Sequence, residues 1–146
     1  MKVLDTVSAL LTEKGGAIWS IGPEATVYEA LEIMAERGIG ALLVIDGEAL
    51  MGVISERDYA RKVILKGRSS HQTKVRDIMT SPPITISPEC TVDEAMRLAT
   101  DRRIRHLPVV NSLGTITGIV SIGDLVKWII TSHEKTIEQL QNYISG

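Results

Sequence analysis

The chain contains no phenylalanine and few other aromatics: Trp19, Trp128, Tyr28, Tyr59 and Tyr143. That excludes an aromatic platform for stacking single-stranded bases. A single cysteine, Cys90, excludes an intramolecular disulfide and any multi-cysteine metal site. Neither sign of charge dominates. Sixteen basic residues stand against eighteen acidic ones, for a net charge of −2, so there is no basic footprint for duplex DNA and nucleic acid is disfavoured as a partner. No apolar run reaches membrane-spanning length. The start, Met1-Lys2-Val3-Leu4-Asp5, carries an acid where a signal peptide would stay apolar. His71 and His133 have no metal-ligand partner at the spacing of a metal site, so no metal is expected. A reducing cytoplasm is the expected compartment.

What the chain does have is a duplication. Ser20-Ile21-Gly22-Pro23-Glu24-Ala25-Thr26-Val27-Tyr28-Glu29-Ala30 lies over Thr85-Ile86-Ser87-Pro88-Glu89-Cys90-Thr91-Val92-Asp93-Glu94-Ala95 without a gap. The register continues through Arg37/Arg102, Ile39/Ile104 and Leu42/Leu107. One inserted residue then brings Gly52 onto Gly118 and Asp58 onto Asp124. A repeat of this extent is an internal duplication. Its expected bounds are 1–67 for the first repeat, 68–82 for a linker and the lead-in of the second, 74–131 for the second repeat, and 132–146 for a C-terminal helical extension. The 44% hydrophobic content is enough for two small halves sharing a core.

Each repeat has one grammar, roughly α-β-α-β-β-α, an α/β (α+β) class. Val3, Leu4, Val7, Leu10 and Leu11 fall on one face of a first helix, which Gly15-Gly16 stops. Short strands are expected at Ile18–Ile21 and Ile84–Ile86. Thr26-x-x-Glu29 and Thr91-x-x-Glu94 write capping boxes that open helices over 27–37 and 92–103. Strands Ala41–Ile45 and His106–Val110 follow. Asp46-Gly47 and Asn111-Ser112-Leu113-Gly114 turn the chain into strands Met51–Ile54 and Ile116–Val120, whose apolar run implies burial on both faces. The last helices start at Ser55 and Ser121. A stripe of Leu125, Val126, Ile129, Ile130, His133, Ile137, Leu140 and Ile144 continues beyond the repeat, with a candidate break at Thr131-Ser132. The stripe either meets another subunit or caps the pair.

The strand-to-helix junctions carry the chemistry: Gly52-Val53-Ile54-Ser55-Glu56-Arg57-Asp58 and Gly118-Ile119-Val120-Ser121-Ile122-Gly123-Asp124. A helix N-terminus offers unpaired N–H groups and partial positive charge, an anion site. A serine hydroxyl there can donate to a phosphate oxygen, and an aspartate one turn on can accept from a ribose diol. Arg57 in the first copy, and Arg105-His106 in the second, could neutralise phosphate, so the two sites are not equivalent. A second reading stands beside this one: Ser-x-x-Asp is also a plain N-cap with its capping partner. His106 reads equally as a half-buried strand residue. Cys90 precedes a helix, which can lower a thiol pKa, or is simply a small residue.

Val75-Arg76-Asp77-Ile78-Met79-Thr80, Arg105-His106-Leu107-Pro108-Val109-Val110 and Gly118–Val126 resemble the CBS (cystathionine β-synthase) domain, present as a tandem pair over about residues 2–130. The first junction, Ser55 to Val63, looks like small stand-alone bacterial CBS-pair proteins. The resemblance implies two pseudo-twofold-related repeats packed strand face to strand face. It implies an adenosine ligand (AMP, ADP, ATP, NAD or S-adenosylmethionine) in the cleft between them, with no cofactor required. By that likeness Ser55 and Ser121 touch phosphate, Asp58 and Asp124 the ribose. Ser20 and Ile21, with Thr85 and Ile86, line the adenine end, and Arg57, Arg105, His106 and Pro108 complete the candidate set. Repeat one has Gly40-Ala41 where repeat two has Arg105-His106. The expectation is a non-catalytic sensor acting as a homodimer on a regulated partner, without membrane contact; the rival is a structural or interaction module with empty sites.

Overall fold

A computed structural model describes residues 5–15 and 17–145. The chain forms two compact units, one of Ile18–Ile84 and the other of 5–17 with 85–145. The first helix therefore belongs with the second repeat. Val3, Leu4 and Gly16, read above as part of that helix and its stop, lie outside the described residues.

In the first unit, strand β1 (Ser20–Ile21) pairs in parallel with β2 (Ala41–Asp46), which pairs antiparallel with β3 (Ala49–Ser55). Helix α2 (Val27–Arg37) opens where the Thr26 hydroxyl accepts from the Glu29 N–H, and it closes at Gly38, which holds φ 64. Val27, Ala30 and Met34 come from its inner face to meet Leu42, Val44 and Ile54 from the strands. Helix α3 (Glu56–Lys62) and the single turn α4 (Val75–Ile78) close the core with Val63, Val75 and Ile78. Residues 68–74, polar in sequence, are tied down. Thr73 is buried, Tyr28 N–H donates to Ser70 O, and His71 stacks on Tyr28.

The second unit repeats the plan with α5 (Val92–Arg102), β4 (His106–Val110), β5 (Ile116–Ser121) and α6 (Ile122–Ser145). Here α1 (Val7–Lys14), capped by Thr6, supplies the lead-in. The Val7 N–H donates to Cys90 O and Val92 N–H to Asp5 O. In the first unit, Val75 to Ala25 and Val27 to Thr73 do the same. Helix α5 carries a full capping box from Thr91 and Glu94. It ends at Arg103, which holds the left-handed φ of 54 that Gly38 supplies in the first copy.

Two glycines matter for packing. A Cβ on Gly52 would sit 2.5 Å from the Thr80 carbonyl oxygen, and one on Gly118 2.7 Å from Leu11 Cδ2. Each glycine lets a lead-in segment lie against the last strand. Thr80 and Val53 exchange two backbone hydrogen bonds there, at 2.8 and 3.1 Å. Beside each glycine the register slips, leaving Met51 and Thr117 as extra residues, as in a β-bulge.

Four expectations are corrected. The strand expected at Ile18–Ile21 is only Ser20–Ile21, and that at Ile84–Ile86 shrinks to one parallel bridge, Ile86 to Val109. Pro82 and Pro83 have no N–H to extend a ladder. Strands β3 and β5 are not buried on both faces, since Ala49 and Met51 are exposed and most of β5 is half-buried. Thr131-Ser132 does not break α6, which runs unbroken to Ser145. Serine and threonine cost only tenths of a kcal/mol in a helix, too little to interrupt so continuous an apolar stripe.

Candidate ligand-binding junctions

The strand registers set the two junctions at matching places. Ala41 stands opposite Ser55, and His106 opposite Ser121. Glu56 N–H donates to Gly40 O at 3.0 Å, and Ile122 N–H donates to Arg105 O at 2.9 Å. The last strand therefore passes into its helix by the same route in both units. Gly40-Ala41 and Arg105-His106, the pair that breaks the repeat, flank this turn. One junction is edged by small apolar residues and the other by two basic ones.

At the first junction, Ser55 and Asp58 close on each other. The Asp58 N–H donates to Ser55 Oγ at 3.1 Å, while the Ser55 N–H and hydroxyl both donate to Asp58 Oδ2 at 3.0 Å. Lys62 Nζ lies 3.3 Å from Asp58 Oδ1, and the Thr80 hydroxyl reaches the same oxygen at 3.4 Å. Ser20 and Ile21 sit on β1 against Leu43 and Val44 of the same sheet. Arg57, in the first turn of α3, is exposed.

At the second junction the cap recurs: Ser121 N–H donates to Asp124 Oδ2 at 2.8 Å, and Asp124 N–H to Ser121 Oγ at 3.1 Å. Lys14, at the end of α1, adds a pin. Its ammonium donates to Asp124 Oδ2 at 2.6 Å and to Ile119 O at 2.8 Å. Burial raises the Asp124 pKa, but the hydrogen bonds from Lys14 and Ser121 and the nearby Lys14 charge prevail, leaving it below the ordinary carboxylate value. Ile86 and Pro108 are joined by the Ile86 N–H to Pro108 O bond at 3.0 Å. Both are buried, whereas Thr85 and Arg105 are exposed and His106 is half-buried.

The structure thus assembles Ser55 with Asp58, and Ser121 with Asp124 beside His106. It adds three residues that the sequence reading missed: Lys14, Lys62 and Thr80. Only Lys62 had a local signal, standing four residues after Asp58 on one helix face. Cys90 is not activated by its helix. Burial, the Glu94 charge and a hydrogen bond to Glu94 push its thiol up to about 11. No group of three metal-ligating side chains occurs among the described residues, and no described helix is long and apolar enough to cross a membrane.

A duplicated lead-in, hairpin and serine-capped helix define a tandem repeat module with two matching strand-to-helix junctions. The CBS domain family matches residues 16–65 and 75–131, and this chain belongs to it. The chain is 44% identical over 151 residues to the CBS domain-containing protein CBSX3, mitochondrial, of Arabidopsis thaliana, covering 97% of this chain and 72% of that protein. A protein with CBS domains from Burkholderia ambifaria MC40-6 has a similar structure, with a TM-score of 0.83 at 46% identity over 86% of this chain and 94% of that one. The CBS domain pair of protein MJ0100, solved with 5′-methylthioadenosine and S-adenosyl-L-methionine, shares the fold at a TM-score of 0.78 and 22% identity, over 88% of this chain and 98% of that one.

Proposed function

We propose that this chain is a non-catalytic regulatory module. It binds an adenine nucleotide (AMP, ADP, ATP or NAD) at its serine-led junctions and signals occupancy to a regulated protein through a conformational change. One observation carries the reading: the same serine-aspartate pair stands at the same strand-to-helix turn in both units, opposite Ala41 in one and His106 in the other. Ser55 and Ser121 would take phosphate, Asp58 and Asp124 the ribose hydroxyls. Ser20, Ile21, Thr85 and Ile86 would line the adenine end, with Pro108 behind Ile86. Arg57 serves the phosphate end of the first junction, Arg105 and His106 that of the second, so the affinities differ. The adenosyl ligands of MJ0100 are of the same chemical class. The working form is a homodimer in the cytoplasm that needs no cofactor. The ligand shifts the module only by its differential affinity for two conformations.

A thermal-shift panel of AMP, ADP, ATP and NAD on ligand-stripped protein tests this. Stabilisation that Asp124→Ala or Asp58→Ala removes supports it. The second reading, an interaction module with empty sites, is favoured by the carboxylates' bonds to their own main chain. A flat panel selects it.

A further inference from the structure

Helix α6 continues past the matched repeat, which ends at residue 131. Its inward face is anchored by Leu125. Next to that face runs a second apolar line: Val126, Ile130, His133, Ile137, Leu140 and Ile144. The spacing is four, three, four, three, four, the 3.5-residue period of a coiled-coil seam rather than the 3.6 of a helix packed on its own domain. Read as heptads, the a positions are Ile130, Ile137 and Ile144, and the d positions are Val126, His133 and Leu140. Isoleucine at a with leucine at d favours a parallel two-stranded pairing; here all three a positions are isoleucine and one d position, Leu140, is leucine. His133, at the middle d position, is half-buried within its own unit, with its Nε2 shielded from solvent and without a hydrogen-bond partner among the described residues, so it lies at the edge of the open line.

The line is open to solvent. Val126 is 41% exposed, Ile130 52%, Ile137 55%, Leu140 58% and Ile144 82%. Those five residues leave roughly 500 Å² uncovered per copy, so a pair would bury about 1,000 Å² before the rim is counted, the lower bound of a specific interface. Charge selects the orientation. An antiparallel copy matching all six layers sets Glu134 against its own counterpart. A parallel copy sets Glu134 near Ile129 and Lys127 near Ile122, with no like charges across the seam. An uncovered helical overhang of ~12–15 residues is also marginal in water, and a partner helix supplies the missing burial.

We infer that α6 pairs in parallel with α6 of a second copy through this seam, apart from the nucleotide junctions. Single-cysteine variants in a Cys90→Ser background test it. Ile137→Cys and Leu140→Cys should each form self-linked dimers under mild oxidation, at least tenfold faster than Asn142→Cys on the far face of the helix. Equal rates, no linkage, or linkage only when Val126→Cys and Ile144→Cys chains are mixed would overturn it. Titrating AMP into the uncrosslinked variants separates this result from the nucleotide reading, because neither outcome of one fixes the other.

Discussion

Lys14→Met is the perturbation that most sharply couples stability to binding. The Lys14 ammonium holds Asp124 and the Ile119 carbonyl together, and Asp124 is the group proposed to meet the ribose diol. A charge-assisted hydrogen bond is worth about 1.5–3 kcal/mol when sheltered. Lys14 and Asp124 are 37% and 25% exposed, and solvent screening brings the net to about 1 kcal/mol. Removing the amine should therefore lower the unfolding free energy by about 1 kcal/mol, a fall in Tm of about 3–4 °C. A ligand using Asp124 no longer has to displace the pin, so nucleotide affinity at the second junction should rise about fivefold. The acid side follows from the sign of the shift. Asp124 has a depressed folded-state pKa, so its stabilisation is complete above the unfolded value of about 4 and is lost as pH falls through the folded value. Lys14→Met should shrink that acid-side loss. Calorimetric titration and urea unfolding of the variant, at neutral pH and near pH 3, read all three effects. A variant that is less stable yet binds no more tightly would refute the competition.

Other substitutions probe the packing. Gly52→Ala drives a methyl against backbone and should cost about 1–3 kcal/mol, whereas Gly118→Ala meets only the end of the Leu11 side chain and should cost less; equal losses in urea unfolding would count against this. Arg103→Gly relieves a left-handed arginine, and it should raise stability by about 0.5–1 kcal/mol after the extra freedom of the unfolded chain is offset. A lower Tm would contradict that. Cys90, with its thiol at about 11, should react with iodoacetamide at pH 8 at least tenfold more slowly than in the unfolded chain, roughly as its thiolate fraction dictates.

The repeat grammar was legible because local signals agreed. Thr26 and Thr91 cap where their spacing said they would, though only Thr91 closes the expected box with its glutamate. Asn111 folds its turn by accepting from Leu113 and Thr115, and the serine starts of α3 and α6 are where the strands stop. What stayed hidden depends on distant partners. Nothing near Lys14 announces a bond to a residue 110 positions on. The assignment of α1 to the second unit, the bulges at Met51 and Thr117, and the reduction of one strand to a bridge at Ile86 are all decided by tertiary packing. At the junctions the residues were legible but their geometry was not. The serine-aspartate spacing fits a cap and a cradle equally, and both carboxylates are found bonded to the cap.

The central claim is that these caps open to hold a nucleotide. Isothermal titration of ligand-stripped protein with AMP, ATP and NAD measures it directly, alongside an Asp58→Asn, Asp124→Asn double variant that keeps an acceptor for each cap. Saturable heat with at least one nucleotide, lost in the folded double variant, is the expected result. No heat with any of the three, or binding that survives the double substitution unchanged, would contradict it.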